Sequence, residues 1–101
     1  MGTIINNMAN KPWQNEEEGF ITSSLLNYNL IVWNDDINSF DWVIETLIDI
    51  CNHTQEQAEQ CALLIHTKGK YAVKQGKYNK LKAYCEAITE RGINATVESI
   101  A

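Results

Sequence analysis

The feature that most restricts this chain is a change of hydrophobic period inside two dozen residues. Tyr28-Asn29-Leu30-Ile31-Val32-Trp33 is short, aromatic and β-branched, and it is bounded by Asn34-Asp35-Asp36. That composition reads as a buried strand ending in a polar turn. Immediately beyond it, Phe40, Val43, Ile44, Leu47 and Ile50 recur at i, i+3, i+4, i+7 and i+10, the stripe of a helix. Asn38 is placed to cap that helix, with Asp41 favourable in its first turn. Thr54-Gln55-Glu56-Gln57 has the form of a capping box and opens a second helix, which turns Ala58, Cys61, Ala62 and Ile65 to one side and ends by Gly69. Tyr71-Ala72-Val73 predicts a short strand closed by Gly76. A third helix turns Leu81, Tyr84, Cys85 and Ile88 inward and stops at Gly92. Residues 95–100 alternate as a last strand whose facing the pattern leaves open. The order is β-α-α-β-α-β, which makes the fold class α+β: a small three-stranded antiparallel sheet packed on three helices.

The 101 residues are enough for one domain, and a net charge of -5 argues against a nucleic-acid binder, which carries a basic face for phosphates. Lys68, Lys70, Lys74, Lys77, Lys80 and Lys82 form a locally basic stretch, read as a solvated face. Residues 1–24 are rich in amide side chains, hold the single proline, Pro12, and carry the run Glu16-Glu17-Glu18. With no regular apolar period they read as a flexible N-terminal extension, leaving residues 25–101 as the core domain. No apolar run approaches the length of about 20 residues that spans a bilayer, and no signal peptide is visible. Three widely spaced cysteines, Cys51, Cys61 and Cys85, suit reduced thiols and a cytoplasmic location. So small a core favours a binding module over an enzyme.

Two features gain meaning only together. Asn34-Asp35-Asp36 alone is an ordinary turn, and His66 alone suits the end of a helix. A protonated amine, however, has three donors and needs three acceptors. An Asn oxygen, an Asp carboxylate and the bare nitrogen of a neutral imidazole supply them. Ile37, Phe40, Val43, Ala62 and Ile65 are positioned to wall an apolar cavity beside them. Such a site would hold a free α-amino group next to a large apolar side chain.

Trp33-Asn34-Asp35-Asp36, the helix beginning near Phe40, and Ile65-His66-Thr67-Lys68-Gly69-Lys70 together resemble the ClpS family, over residues 28–98. The resemblance implies a small sheet packed against three helices behind a flexible extension. It implies an adaptor without catalytic residues that binds substrates bearing a bulky hydrophobic N-terminal residue (Leu, Phe, Tyr or Trp). Such N-degron substrates are delivered to a Clp AAA+ unfoldase of the ClpA or ClpC type through its N-terminal domain, for degradation by the associated protease. The extension would contact the unfoldase pore during transfer. On the matching positions, Asn34, Asp35 and His66 would hold the substrate α-amino group and Asp36 would support the motif. Ile37, Asn38, Phe40, Val43, Ala62 and Ile65 would form the hydrophobic pocket. Phe40 and Ala62 stand where methionine is common in the family, Asn38 where threonine is usual, and Ser39 where proline is frequent. Tyr78-Asn79-Lys80-Leu81-Lys82 departs from the family's usual third-helix surface. No cofactor or metal, no membrane and no nucleic acid is implied, and the protein is expected to act as a monomer.

The sequence allows two other readings. Cys51, His53, Cys61 and His66 have the types of a zinc site, but their spacing matches no familiar one, and Cys61 lies on an apolar stripe. An interaction module of the same fold, docking on a Clp unfoldase without reading N-terminal residues, is the alternative function.

Overall fold

A computed structural model of the chain describes residues 28–100; the proposed extension, residues 1–24, lies outside them. The described elements are β1 (Tyr28–Trp33), α1 (Phe40–Cys51), α2 (Gln55–Lys68), β2 (Lys70–Gly76), α3 (Tyr78–Glu90) and β3 (Ala95–Ser99). The strands form one antiparallel sheet in the order β2-β1-β3. The fold is therefore α+β, three strands and three helices, in the order the hydrophobic pattern predicts.

The central position of β1 follows from its composition. A strand apolar at Leu30, Ile31 and Val32 is stable only where neighbours cover it on both edges. Leu30 and Val32 are fully buried and face the helices. They meet Val97 and Ala95 of β3 directly across the ladder, which resolves the facing of that last strand. On the β2 side the register shifts between Leu30 and Ile31, so Val73 is the additional residue of a bulge and enters the core. The opposite face of β1 carries Trp33, whose indole Nε1 donates to Thr96 Oγ1 at 3.0 Å, with the Lys70 ammonium 4.6 Å from the ring centroid.

The helices start and stop where side chains satisfy their free backbone groups. Helix α2 begins with the complete capping box of Thr54 and Gln57. Helix α1 departs from expectation: its N-cap is Ser39, whose Oγ accepts from Trp42 N at 3.0 Å. Asn38 is not the cap, because its amide is bonded elsewhere, to Asp35 and Gly92. The buried face of α1 is Ile44, Thr46, Leu47 and Cys51, while Phe40 at the start of its stripe remains 45% exposed. Leu81 and Ile88 of α3 are fully buried, with Tyr84 and Cys85 packed half-buried at their side. Arg91 ties α3 to α1, pairing with Asp49 at 3.1 Å, donating to Thr46 Oγ1 at 3.3 Å, and accepting at its carbonyl from Trp42 Nε1 at 3.1 Å.

His53, in the turn between α1 and α2, donates from Nε2 to the Val73 carbonyl at 3.0 Å. Its Nδ1 is buried without a partner. Burial disfavours the imidazolium, the bond to Val73 opposes that, and Lys74 adds to it, so the pKa lies below the ordinary value. The unfolded chain therefore binds this proton more readily than the folded one. The stability it confers is present above the unfolded pKa of about 6.5 and is lost as pH falls through and below it. The melting temperature followed by circular dichroism should fall between pH 7.5 and 5.5. In His53→Gln, which keeps a donor for Val73, that fall should be much smaller.

Candidate functional site

The site begins with two glycines that are not part of it. Gly69 caps α2 in the left-handed region (φ 90°) and donates to Ile65 O at 2.9 Å. Its carbonyl then accepts from Asn34 N at 2.9 Å, just where β1 leaves the sheet. On the other side, Trp33 N donates to Asn94 O at 2.9 Å. The loop that follows is closed by Asp35: Oδ1 accepts from Ile37 N at 2.9 Å and from Asn38 N at 2.8 Å, and Oδ2 accepts from Asn38 Nδ2 at 2.8 Å. Asn38 Nδ2 also reaches the carbonyl of Gly92 at 2.9 Å. Gly92, too, has a positive φ of 86°. The end of β1 is thus held on one flank by the α2–β2 junction and on the other by the α3–β3 junction.

This clamping sets Asn34-Asp35-Asp36 opposite the last turn of α2, where His66 stands. The cavity of about 380 Å³ between them is lined by Asn34, Asp35, Asp36, Asn38, Phe40, Val43, Ala62, Ile65 and His66. Its polar end holds the Asn34 amide, the Asp35 carboxylate and the His66 imidazole. Its apolar end is Val43 from α1 and the buried Ala62 and Ile65 from α2, with the half-exposed ring of Phe40 at the rim. Of the residues expected to form the amine site and its pocket, Ile37 alone does not line the cavity. Its backbone is turned by Asp35, and its side chain stands 91% exposed.

Asp35 does more than the amine argument asked of it. Bonds from the Asn38 backbone and side chain hold its carboxyl below the usual carboxylate range, slight burial opposes this, and the Ile37 N–H adds to it. The group is therefore fully ionised at neutral pH. Three donors occupy its oxygens, and an ionised carboxylate has about four acceptor positions, so Oδ2 keeps capacity for one more donor. The long-range partners, Gly69 O and Gly92 O, were missed by sequence reasoning. Carbonyls carry no residue-type signal; only the positive-φ glycines hinted at them.

The Cys51, His53, Cys61 and His66 set does not converge: among the described residues no three His, Cys, Asp or Glu side chains are grouped to hold a metal ion. Burial pushes the Cys51 thiol up to about 11, and His53 Nε2 is committed to Val73. None of the cavity's lining residues is a serine, cysteine or lysine nucleophile. The geometry defines a binding module, with acceptors at one end of a cavity and an apolar wall at the other.

Comparison with known proteins gives the module its family. The family description "ATP-dependent Clp protease adaptor protein ClpS" matches residues 24–96. The ClpS adapter of Corynebacterium aurimucosum is 29% identical over 77 residues, covering 76% of this chain and 69% of that protein. That of Corynebacterium diphtheriae is 25% identical over 97% of this chain and 88% of its own length. The adapter of Treponema denticola is 40% identical over 47 residues, 46% of each chain. The structure of Agrobacterium tumefaciens ClpS2 bound to L-phenylalaninamide superposes with a TM-score of 0.66 at 19% identity, covering 71% of this chain and 94% of that one. This chain belongs to the ClpS family. It is a non-catalytic adaptor that delivers N-degron substrates to a Clp protease. Among the described residues no helix is long and apolar enough to cross a membrane.

Two substitutions probe the clamp. Gly69→Ala meets no atom within 4 Å, so its cost is the left-handed backbone alone, about 1–2 kcal/mol in urea unfolding. Asp35→Ala removes the acceptor that closes the loop and should cost about 1 kcal/mol, the scale of a lost Asp cap, with no ligand present.

Proposed function

We propose that residues 25–101 grip the free α-amino group of a substrate's first residue through Asn34, Asp35 and His66, with Asp36 supporting the loop. That residue's side chain enters the wall formed by Asn38, Phe40, Val43, Ala62 and Ile65. The observation that carries the reading is the meeting of three acceptors with an apolar wall in one cavity. An internal residue has no ammonium to offer, so the pair of requirements separates a chain end from the same residue mid-chain. Burying one Leu, Phe, Tyr or Trp side chain contributes about 1.5–3 kcal/mol, and charge-assisted bonds to the ammonium add to it. Micromolar binding, about 8 kcal/mol, is sufficient for a carrier that must also release. On this reading the protein works as a cytoplasmic monomer, without cofactor or nucleic acid. It docks on the N-terminal domain of a ClpA- or ClpC-type unfoldase, with residues 1–24 as an extension that contacts the pore during transfer.

The L-phenylalaninamide of the Agrobacterium relative carries both a free amine and an aromatic ring, the two groups this cavity would take. The test is fluorescence anisotropy with peptides beginning with Leu, Phe, Tyr, Trp or Ala, each with a free or acetylated amine. Free-amine bulky peptides should bind, and acetylation should weaken them about 10- to 100-fold, the loss of a hydrogen bond to a charged group. Equal affinity for acetylated and free peptides would refute the amine site.

A further inference from the structure

The α3–β3 turn offers three backbone carbonyls to the elements around the polar end of the cavity. Arg91 O accepts from Trp42 Nε1 of α1 at 3.1 Å, Gly92 O from Asn38 Nδ2 of the loop at 2.9 Å, and Asn94 O from Trp33 N of β1 at 2.9 Å. Of these donors Asn38 alone also touches Asp35, and it does so twice. Its backbone N–H donates to Oδ1 at 2.8 Å and its side-chain Nδ2 to Oδ2 at 2.8 Å. A carboxylate held on both oxygens by one residue does not rotate about its Cβ–Cγ bond. The amide is locked in the same way. Both Nδ2 hydrogens are engaged, one by Asp35 Oδ2 and one by Gly92 O, and a reversed amide would set its oxygen against two acceptors.

From this geometry we infer that Asn38 is a positioning residue of the amine site and not part of its apolar wall. Its side-chain amide sets Asp35 Oδ2, the oxygen with capacity left for an ammonium, at a fixed place relative to the α3–β3 turn. The inference rests on the amine-site reading given above. Oδ1 already takes two backbone donors, Ile37 N and Asn38 N, so the loop stays closed without the Asn38 side chain. Oδ2 has no donor other than Asn38 Nδ2 among the described residues. Loss of the amide therefore frees the one oxygen that the ligand needs held. The bonds from Asn38, backbone first and side chain second, are also what chiefly favours the ionised form of this carboxyl. A hydroxyl at this position has one hydrogen, so it can serve Asp35 or Gly92 but not both. The double link is a property of the amide.

The experiment measures dissociation constants for free-amine peptides beginning with Leu, Phe or Trp on the full chain, on Asn38→Leu and on Asn38→Thr. The Asp35 carboxyl is followed in each by NMR titration without peptide. Leucine is close to asparagine in shape and is apolar, so a wall role would leave binding to Asn38→Leu unchanged or tighter. Positioning instead requires a weakening of about 2- to 12-fold, the scale of one hydrogen bond, alike for all three peptides. Asp35 should titrate at a higher pH in Asn38→Leu than in the unaltered chain, because a donor to its charged form is gone. Asp36 of the same loop and His66 of α2, the other titratable groups lining the cavity, are common to every protein compared. Asn38→Thr returns one donor and should fall between the two in affinity and in titration. Should Asn38→Leu fail to fold, Asn38→Thr carries the same comparison against the unaltered chain. Unchanged binding in the folded variants, or weakening with no change in the Asp35 titration, would overturn the positioning role while leaving the amine site intact. Absence of binding by every free-amine peptide on the unaltered chain would instead overturn the proposed function, and this role with it.

Discussion

The structure depends on how the C-terminal end of its central strand is held. β1 is paired on both edges, and at its last residues the ladder passes into two single bonds, Trp33 N to Asn94 O and Asn34 N to Gly69 O. Each acceptor lies in a turn joining a helix to an outer strand, and the turn on each flank contains a glycine of positive φ. A residue with a Cβ is strained there, so both turns are cheap only with glycine. The apolar β1 thus does two things at once. It is the axis of the core, and it delivers three polar residues, at a fixed height, to the end of α2.

The same economy runs through the loop that follows. Asp35 is a turn-forming residue, a bonded anchor for Asn38 and an ionised acceptor on the cavity wall. Its hydrogen bonds account for its depressed pKa, and they also keep its remaining acceptor position aimed instead of free to rotate. Asn38 extends the arrangement to Gly92, so the loop is tied to α3 and β3 as well as to α2. Preorganisation of this kind lowers the ordering cost that a ligand must otherwise meet. It suits an adaptor, which must take up a substrate and hand it on.

Much of this was legible in advance, for reasons tied to particular residues. The helices announced themselves because Ile44, Leu47 and Ile50, or Leu81 and Ile88, repeat at the helical period that a one-sided core imposes. The Thr54–Gln57 box was readable because both partners are local. The cap of α1 lies one residue beyond the expected Asn38, since Asn38 and Ser39 are both good caps and the distant Gly92 carbonyl engages Asn38 elsewhere. Ile37 was placed in the wall by its chemistry, but the Asp35 turn rotates it outward. Phe40 began an apolar stripe, yet the first turn of α1 overhangs the cavity and leaves its ring half in water.

The sequence by itself determined the order and type of the elements, the acidic character of the chain, and the residue types that can meet an ammonium beside an apolar group. Those follow from composition and short-range periodicity, which act within a few residues. Only the tertiary structure decided that Asn34 and His66, far apart along the chain, face one cavity, that Ala95 and Val97 point inward, and that of two residues lining that cavity Ala62 is buried while Phe40 is half exposed. These depend on strand pairing and on backbone carbonyls at two glycine turns. Such contacts are made between backbone groups that every residue carries, so they leave no mark in the identity of any side chain.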